Sequence, residues 1–507
     1  MYSISIQRIQ SILFEQGLLR EIVSDNDWLF QIEESKQLNK QFTQLSYNSK
    51  DTDTSTLFFC KGATFKQAYL EDAIKKGVEY YVSEVVYDIP GSTAIIVSDI
   101  RKAMPLVARE FYGFPDKKID MVGITGTKGK TTTTFFVYSI LDQYAPAKTA
   151  VISTMGITLD GQNWIEAQLT TPESLDLFKM IAQAVKNGMK HLVMEVSSQA
   201  FKMNRVLGLY FDIGVFLNIS PDHIGPNEHP TMEDYFYCKR QLLNVSETVI
   251  LNSQSDYFEL LKEQASHYSK KVLTYGTSSE TADYWYKDVE NHPKMFNIHS
   301  PDSIIDGTYT IAIPGDFNKE NALCAAIISS ELNVPKESIQ KGLDDAVIPG
   351  RMEHVAFNES NHVYVDFAHN YISLKSVLDY VIKEHPENDL TIVLGAPGGK
   401  GVSRRKDFGE LLSEYVGKVI LTADDPNEED PRKISEEIKQ HIKGPLSVAI
   451  IDDRKEAIEY ALENADSNET IVIAGKGNDD FIYIDKVKEP YIGDMPIVEN
   501  YIWRNGI

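Results

Sequence analysis

From about Pro349 onward, five apolar runs, VYVDFAH, LTIVLGAPGG, KVILTADDPN, SVAIIDD and ETIVIAGKG, are separated by helical stretches such as SLKSVLDYVIKEH and PRKISEEIKQHI. No other feature constrains the fold as much. Short apolar runs alternating with helices predict a doubly wound parallel sheet, and hence an α/β protein. Ligands of such sheets bind beyond the carboxyl ends of the strands, where DFAH, GAPGG, DDPN and GKGN all fall.

The stretch DMVGITGTKGKTTTTFFVYSIL adds a strand-like run, a glycine loop and a helix-like run. That order presents backbone N–H groups and a positive helix end to an anion. Lys130 can reach the β and γ phosphates of a nucleotide, and Thr131 can bind Mg²⁺. Gly129, Lys130 and Thr131 look like the end of a Walker A loop, but the position five before Gly129 is Ile124, and the nearest glycine is Gly123. Glu195, closing the run HLVME, offers a hard oxygen to a cation near Thr131. His223 in NISPDH is a further candidate, a satisfied structural histidine being the blander and commoner alternative.

At 507 residues the chain exceeds what one core holds. Three blocks are expected: residues 1–118, 119–348 and 349–507. The first alternates strand-like TLFFC, VEYYVSE and AIIVSD with helical FKQAYLEDAIKKG and IRKAMPLVAREFYG, and FYGFPDKKID reads as a linker. The second closes around GDFNKENALCAAIISSELN, where Asn318 is a candidate helix cap. A net charge of −24 argues against nucleic acid and anionic membrane as partners. No apolar run approaches the roughly 18 residues a membrane span needs. The start lacks a signal-peptide pattern, and Cys60, Cys238 and Cys324 lie too far apart for a disulfide framework, so a cytoplasmic protein is expected.

The motifs GTKGKTT, TTPES, MEVSSQ, NISPDH, YFYCKRQLL, GDFNKENALCA, PGRME, DFAHN and GKGND, in this order, resemble the signatures of the Mur ligases, the amide-forming ATPases of peptidoglycan synthesis. The likeness spans all three blocks and includes that family's displaced loop glycine. It implies a three-domain architecture: a nucleotide-sugar peptide domain, a P-loop ATPase domain and a Rossmann-like amino-acid domain. It also implies the reaction. ATP phosphorylates the D-glutamate carboxylate of UDP-MurNAc-L-Ala-D-Glu, and an incoming amino acid displaces phosphate from the acyl phosphate.

The resemblance assigns residues as well. ATP would meet Gly126, Thr127, Lys128, Gly129, Lys130, Thr131 and Thr132, with Asn318, Asn321, Arg351, Asp366 and His369. Lys239 matches a lysine that CO₂ converts to a carbamate (N6-carboxylysine), which with Glu195 and His223 would hold a second Mg²⁺. Such chemistry needs a neutral amine, so burial or nearby cations must depress the lysine's pKa. Ser49, Thr170, Thr171, Ser197 and Arg205 would bind the nucleotide-sugar peptide, although YNSK stands where the family often has Asp-Ser-Arg, and Gln199 replaces a frequent histidine.

Members that add meso-diaminopimelate typically carry Asp-Asn-Pro-Arg where this chain has Asp424, Asp425, Pro426 and Asn427. Loss of the arginine and gain of an acid favour a side chain ending in ammonium, so L-lysine is the expected substrate, with Asp479 near the α-amino group. Ornithine- and diaminopimelate-adding ligases, folylpolyglutamate synthase and a non-ligase ATP-driven switch or scaffold are the alternatives. A monomer is expected.

Overall fold

The computed structural model describes residues 2–24, 27–30, 40–62, 65–87, 89–225, 228–290, 292–313, 315–348, 350–358, 360–399, 401–415, 417–477 and 479–506. Pro349, where the third block was expected to open, lies outside them. The chain divides into two compact units: Met1–Tyr286, Ile298–Asp306 and Leu323–Gly342 form one, and Lys287–Asn297, Gly307–Ala322 and Leu343–Ile507 the other. No helix among the described residues is long and apolar enough to cross a membrane.

Besides the small antiparallel pair Ile4–Ser5 and Gln41–Phe42, the first unit holds strands of two larger sheets. In one, the expected strands Thr56–Phe59, Tyr80–Ser83 and Thr93–Val97 pair in parallel and are buried along their whole length. Leu19–Ser24, which carries no clean alternation, extends this sheet as an antiparallel neighbour of Thr93–Val97. In the other, Asp120–Thr125 lies between His191–Glu195 and Phe211–Phe216, parallel to both. The chain leaves Asp120–Thr125 to form Thr149–Ser153 beyond His191–Glu195, and later crosses back to Phe211–Phe216 on the other side. The carboxyl ends of these three strands therefore form a topological switch point, where such sheets bind ligands. One continuous core joins Ile12, Phe59 and Val107 to Leu177, Phe178 and Leu192.

Gly123 lies inside the strand Asp120–Thr125, not in the loop that follows. A Cβ there would stand 2.7 Å from the Phe211 ring. Its glycine is required because the Phe211 ring of the neighbouring strand and Leu242 of the helix Met232–Asn244 fill that space, and the loop glycines are Gly126 and Gly129.

In the second unit all five expected strands pair in parallel, in the order Asn361–Asp366, Glu469–Ala474, Asp389–Leu394, Lys418–Leu421, Ser447–Ile450. A sixth, Glu353–Phe357, adds an antiparallel edge. Helices start where short polar side chains cap them: Asn370 accepts from Ser373 N, Asp430 from Arg432 N, and Asp453 from Glu456 N. Asn318 is the third residue of the helix Asp316–Glu331 and so does not occupy its capping position.

Candidate active site

The glycine loop turns from Asp120–Thr125 into the helix Lys130–Tyr144, whose first turn is entered from Gly129 at φ +83°. At Gly126 a Cβ would sit 2.9 Å from Leu217 Cβ, so only glycine lets the loop pass the neighbouring strand. Asn218, at the end of that strand, clamps the loop: its Oδ1 accepts from Lys128 N at 2.9 Å and its Nδ2 donates to Lys128 O at 3.2 Å. Tyr235 donates to the Thr127 hydroxyl at 3.1 Å. The loop is thus held before any ligand arrives.

The Thr131 hydroxyl donates to Glu195 Oε1 at 2.9 Å, in a fully buried setting. Thr154 donates to the same carboxylate from its backbone N at 3.1 Å and from its hydroxyl at 3.2 Å. A hydroxyl and a carboxylate at this spacing are the hard oxygen donors that Mg²⁺ takes. Lys130 folds back onto the loop, donating to the Gly126 carbonyl at 2.9 Å and the Thr127 carbonyl at 3.1 Å.

Lys239 lies in the helix Met232–Asn244, is buried, and donates to the Gly126 carbonyl at 2.7 Å. Burial, followed by the charge of Lys130, pushes its pKa well below the ordinary lysine value. His223, at φ +54°, is half-exposed and pairs with Glu228 at 2.8 Å. Its ring stands 5.9 Å from that of Tyr235, which in turn lies 4.8 Å from Lys239 Nζ. The geometry therefore brings Lys130, Thr131, Glu195 and Lys239 together around Gly126 and leaves His223 at the margin.

On the other side of Glu195, Thr171 donates to the Glu195 carbonyl at 2.9 Å and accepts from Ser197 N at 3.0 Å. Thr170 lies 3.1 Å from the Thr154 hydroxyl. Arg205 reaches the Thr171 carbonyl at 3.2 Å and Glu173 at 2.9 Å, and Glu173 also pairs with Lys61 at 2.7 Å. Ser49 sits in the turn after Gln44–Ser46, its carbonyl accepting from Lys76 at 2.6 Å.

In the second unit, Asn318 and Asn321 are buried in their helix. Asp366 is buried at the end of its strand, accepts from Met352 N at 2.9 Å, and is held by burial above the usual carboxylate range. Arg351 packs on the Phe367 ring, and His369 bonds the Phe367 carbonyl at 2.8 Å. Asp425 accepts from Lys476 at 2.9 Å and from Tyr483 N at 3.0 Å, while Lys476 also pairs with Asp479 at 3.1 Å. Burial pushes Asp424 up to about 6 against the opposing charges of Lys476 and Arg454. Asn427, at φ +52°, ties the loop by donating to Gly398 O at 3.2 Å and Asp425 O at 3.1 Å. The expected ammonium subsite is therefore already partly neutralised by Lys476.

Two family models match the chain, the Mur ligase middle domain over residues 124–329 and the Mur ligase, glutamate ligase domain over residues 350–477. Relatives include the UDP-N-acetylmuramoyl-L-alanyl-D-glutamate--L-lysine ligase of Enterococcus faecalis, 47% identical over 504 residues, with 99% of each chain covered. The ligase of the same name from Streptococcus mutans is 46% identical over 505 residues, covering 98% of this chain and 100% of its own. The chain belongs to the Mur ligases. A solved UDP-N-acetylmuramoyl-L-alanyl-D-glutamate--2,6-diaminopimelate ligase superposes over 100% of both chains with a TM-score of 0.66 at 24% identity, a likeness of fold.

Within this Mur ligase several site residues carry no sequence signal of their own. Asn218 opens NISPDH two residues after the strand Phe211–Phe216, and nothing in that motif singles it out. Lys476 in GKGND lies just past the end of the strand Glu469–Ala474, and its pairing with Asp425 and Asp479 is set by the fold. His229 is fully buried, 2.8 Å from the Ser198 hydroxyl and 2.6 Å from Asp234, and fixes the short helix Ser198–Lys202 after Glu195.

Proposed function

We propose that this Mur ligase joins L-lysine to the D-glutamate of UDP-MurNAc-L-Ala-D-Glu at the expense of ATP, in peptidoglycan biosynthesis. The observation that carries the reading is the Thr131–Glu195 pair, 2.9 Å apart, at the end of the glycine loop whose Gly126 carbonyl accepts from both Lys130 and Lys239. The L-lysine ligases at 46–47% identity support the choice of amino acid.

The nucleotide phosphates would lie along the N–H groups of Gly126 to Thr132. Lys130, now bound to two loop carbonyls, would turn onto the β and γ phosphates. Thr131 and Glu195 would hold one Mg²⁺, and Glu195, His223 and carbamylated Lys239 a second; the ions supply positive charge to the phosphates when bound. The D-glutamate carboxylate takes the γ-phosphoryl group and ADP leaves. The amine then attacks the acyl carbon, phosphate departs and a proton is lost. Thr170, Thr171, Ser197, Arg205 and Ser49 would hold the nucleotide-sugar peptide. Asn318, Asn321, Arg351, Asp366 and His369 would meet ATP.

The second unit supports a cationic acceptor. Asp424, Asp425, Asp479 and Asp494 cluster with Lys476 and Arg454, which among the described residues leaves these six groups with a surplus of two negative charges when all are ionised. That surplus suits an added ammonium and opposes a second carboxylate. Domains at 1–118, 119–348 and 349–507, a monomeric state and a cytoplasmic location belong to the same proposal. Phosphate release with UDP-MurNAc-L-Ala-D-Glu, with and without L-lysine, ornithine or meso-diaminopimelate, tests it. Turnover independent of an amine would sink the ligase reading, and preference for diaminopimelate would sink the lysine assignment.

A further inference from the structure

The second unit carries a histidine cluster that the ligase chemistry does not use. His354 and His362 lie on the antiparallel pair Glu353–Phe357 and Asn361–Asp366, where His354 faces Tyr364 and Ala356 faces His362. They are therefore diagonal neighbours on one face. His385 caps the end of the helix Tyr371–Glu384. Three positions distant in sequence thus converge: His354 Nε2 is 3.1 Å from His362 Nδ1, and the His362 and His385 rings stack at 3.8 Å. One ring nitrogen from each of the three lies within 4.8 Å of the other two.

We propose that His354, His362 and His385 form a binding site for a borderline transition-metal ion of the Zn²⁺ class. Three imidazole nitrogens suit Zn²⁺, Co²⁺, Ni²⁺ or Cu²⁺ and disfavour Mg²⁺ and Ca²⁺, which take oxygen. Tetrahedral Zn²⁺ with bonds of about 2.0–2.1 Å sets its ligand nitrogens about 3.3 Å apart. The His354–His362 pair already has that spacing, and His385 closes the set by unstacking from His362. His354 is exposed, which leaves the fourth position open to water. The Tyr364 hydroxyl, 2.7 Å from His385 Nε2, orients that ring as an outer-shell partner does at histidine metal sites. Burial, with the neighbouring rings adding to it at His354 and His385, lowers the pKa of all three histidines, so each offers a neutral lone pair.

His362 stands at the amino end of a strand whose carboxyl end is Asp366, about 13 Å away at 3.3 Å per residue. The ion would sit at the end of the sheet opposite the acidic loop and staple the edge hairpin to the helix end. Its effect is on stability rather than on turnover.

The test uses the full chain without nucleotide. Zn²⁺ alone should bind with one equivalent tighter than the rest and raise the thermal midpoint, and Co²⁺ should give the intense visible spectrum of a tetrahedral nitrogen site. His385→Asn should abolish that equivalent and the midpoint shift, and Tyr364→Phe should weaken Zn²⁺ by about 10-fold. His354→Asn, an exposed change, serves if His385→Asn does not fold. Equal Zn²⁺ binding by the wild type and His354→Asn would overturn the proposal. So would a cobalt–thiolate charge-transfer band, which would assign the ion to the group His229, Asp234 and Cys238 instead.

Discussion

The amine of Lys239 lies 2.7 Å from the carbonyl oxygen of Gly126, the same oxygen that accepts from Lys130 at 2.9 Å. Two lysines on one acceptor cannot both keep their charge cheaply in a buried site. Lys239 is the more buried and gives way: its pKa falls well below the ordinary lysine value, towards a neutral amine beside the glycine loop. That is the condition CO₂ capture imposes.

Lys239→Ala should therefore lower turnover by at least about 100-fold, the scale of losing one preorganised electrostatic group. Short carboxylic acids such as acetate should restore part of it by filling the space of the carbamate. Lys239→Arg, always charged, should be as impaired and not respond. Full activity of Lys239→Ala without added acid removes the carbamate from the mechanism.

Glu195→Gln keeps the shape that accepts from Thr131 and Thr154 but removes the charge. Fold and thermal midpoint should change little, whereas the Mg²⁺ concentration for half-maximal rate should rise by about 10-fold or more. A Mg²⁺ titration at saturating ATP measures it. An unchanged titration would mean that Glu195 holds the strand end and not an ion.

Gly123→Ala separates packing from phosphate binding. The added methyl would meet the Phe211 ring at 2.7 Å, an overpacking worth about 1–3 kcal/mol. The midpoint should fall and ATP affinity below the transition should not. Gly123→Ala combined with Phe211→Leu should regain part of the lost stability. If ATP affinity falls with stability intact, Gly123 belongs functionally to the loop.

The parallel strands of the second unit were legible because each is a short apolar run between helices. The edge strand Glu353–Phe357 was not, since HVAF alternates weakly and gains its identity only by pairing with Asn361–Asp366. The glycine loop, Glu195 and Lys239 were legible as motifs, but motifs give no partners. His223, on left-handed backbone, pairs with Glu228, and Lys476 reaches the acidic loop across the intervening strand Asp389–Leu394. The cluster of His354, His362 and His385 arises from strand register and a helix end, neither of which a linear pattern encodes.

Asp424 makes the acidic loop pH-sensitive. Its pKa of about 6 in the folded chain, against 3.8 for a free side chain, means that the folded state keeps this proton to higher pH than the unfolded one. Stability from this group is greatest below about pH 4, declines as pH rises to about 6 and is constant above that. Binding of a cationic amino acid runs the other way, because protonation removes one of its attracting charges. The KM for L-lysine should rise as pH falls through about 6, and the KM for ATP should not follow it. Asp424→Asn should flatten the L-lysine profile; an unaltered profile would place the titrating group elsewhere.

Exchange of the acidic loop tests specificity most directly. Asp425 is partly exposed and shares Lys476 with Asp479, so it is the carboxylate an incoming ammonium can reach by displacing or joining that lysine. Asp425→Asn alone should raise the KM for L-lysine by about 10-fold or more, the value of one charge-assisted bond. Adding Asn427→Arg removes the donations to Gly398 and Asp425 and puts a guanidinium where a second carboxylate could pair. Arginine at φ +52° costs about 1 kcal/mol or more, so the double variant should melt lower than the single one. Its ratio of kcat/KM for meso-diaminopimelate over L-lysine should nevertheless rise by about 100-fold. Competition assays with both amino acids read that ratio without interference from stability. A ratio that does not move would mean that this loop does not choose the amino acid.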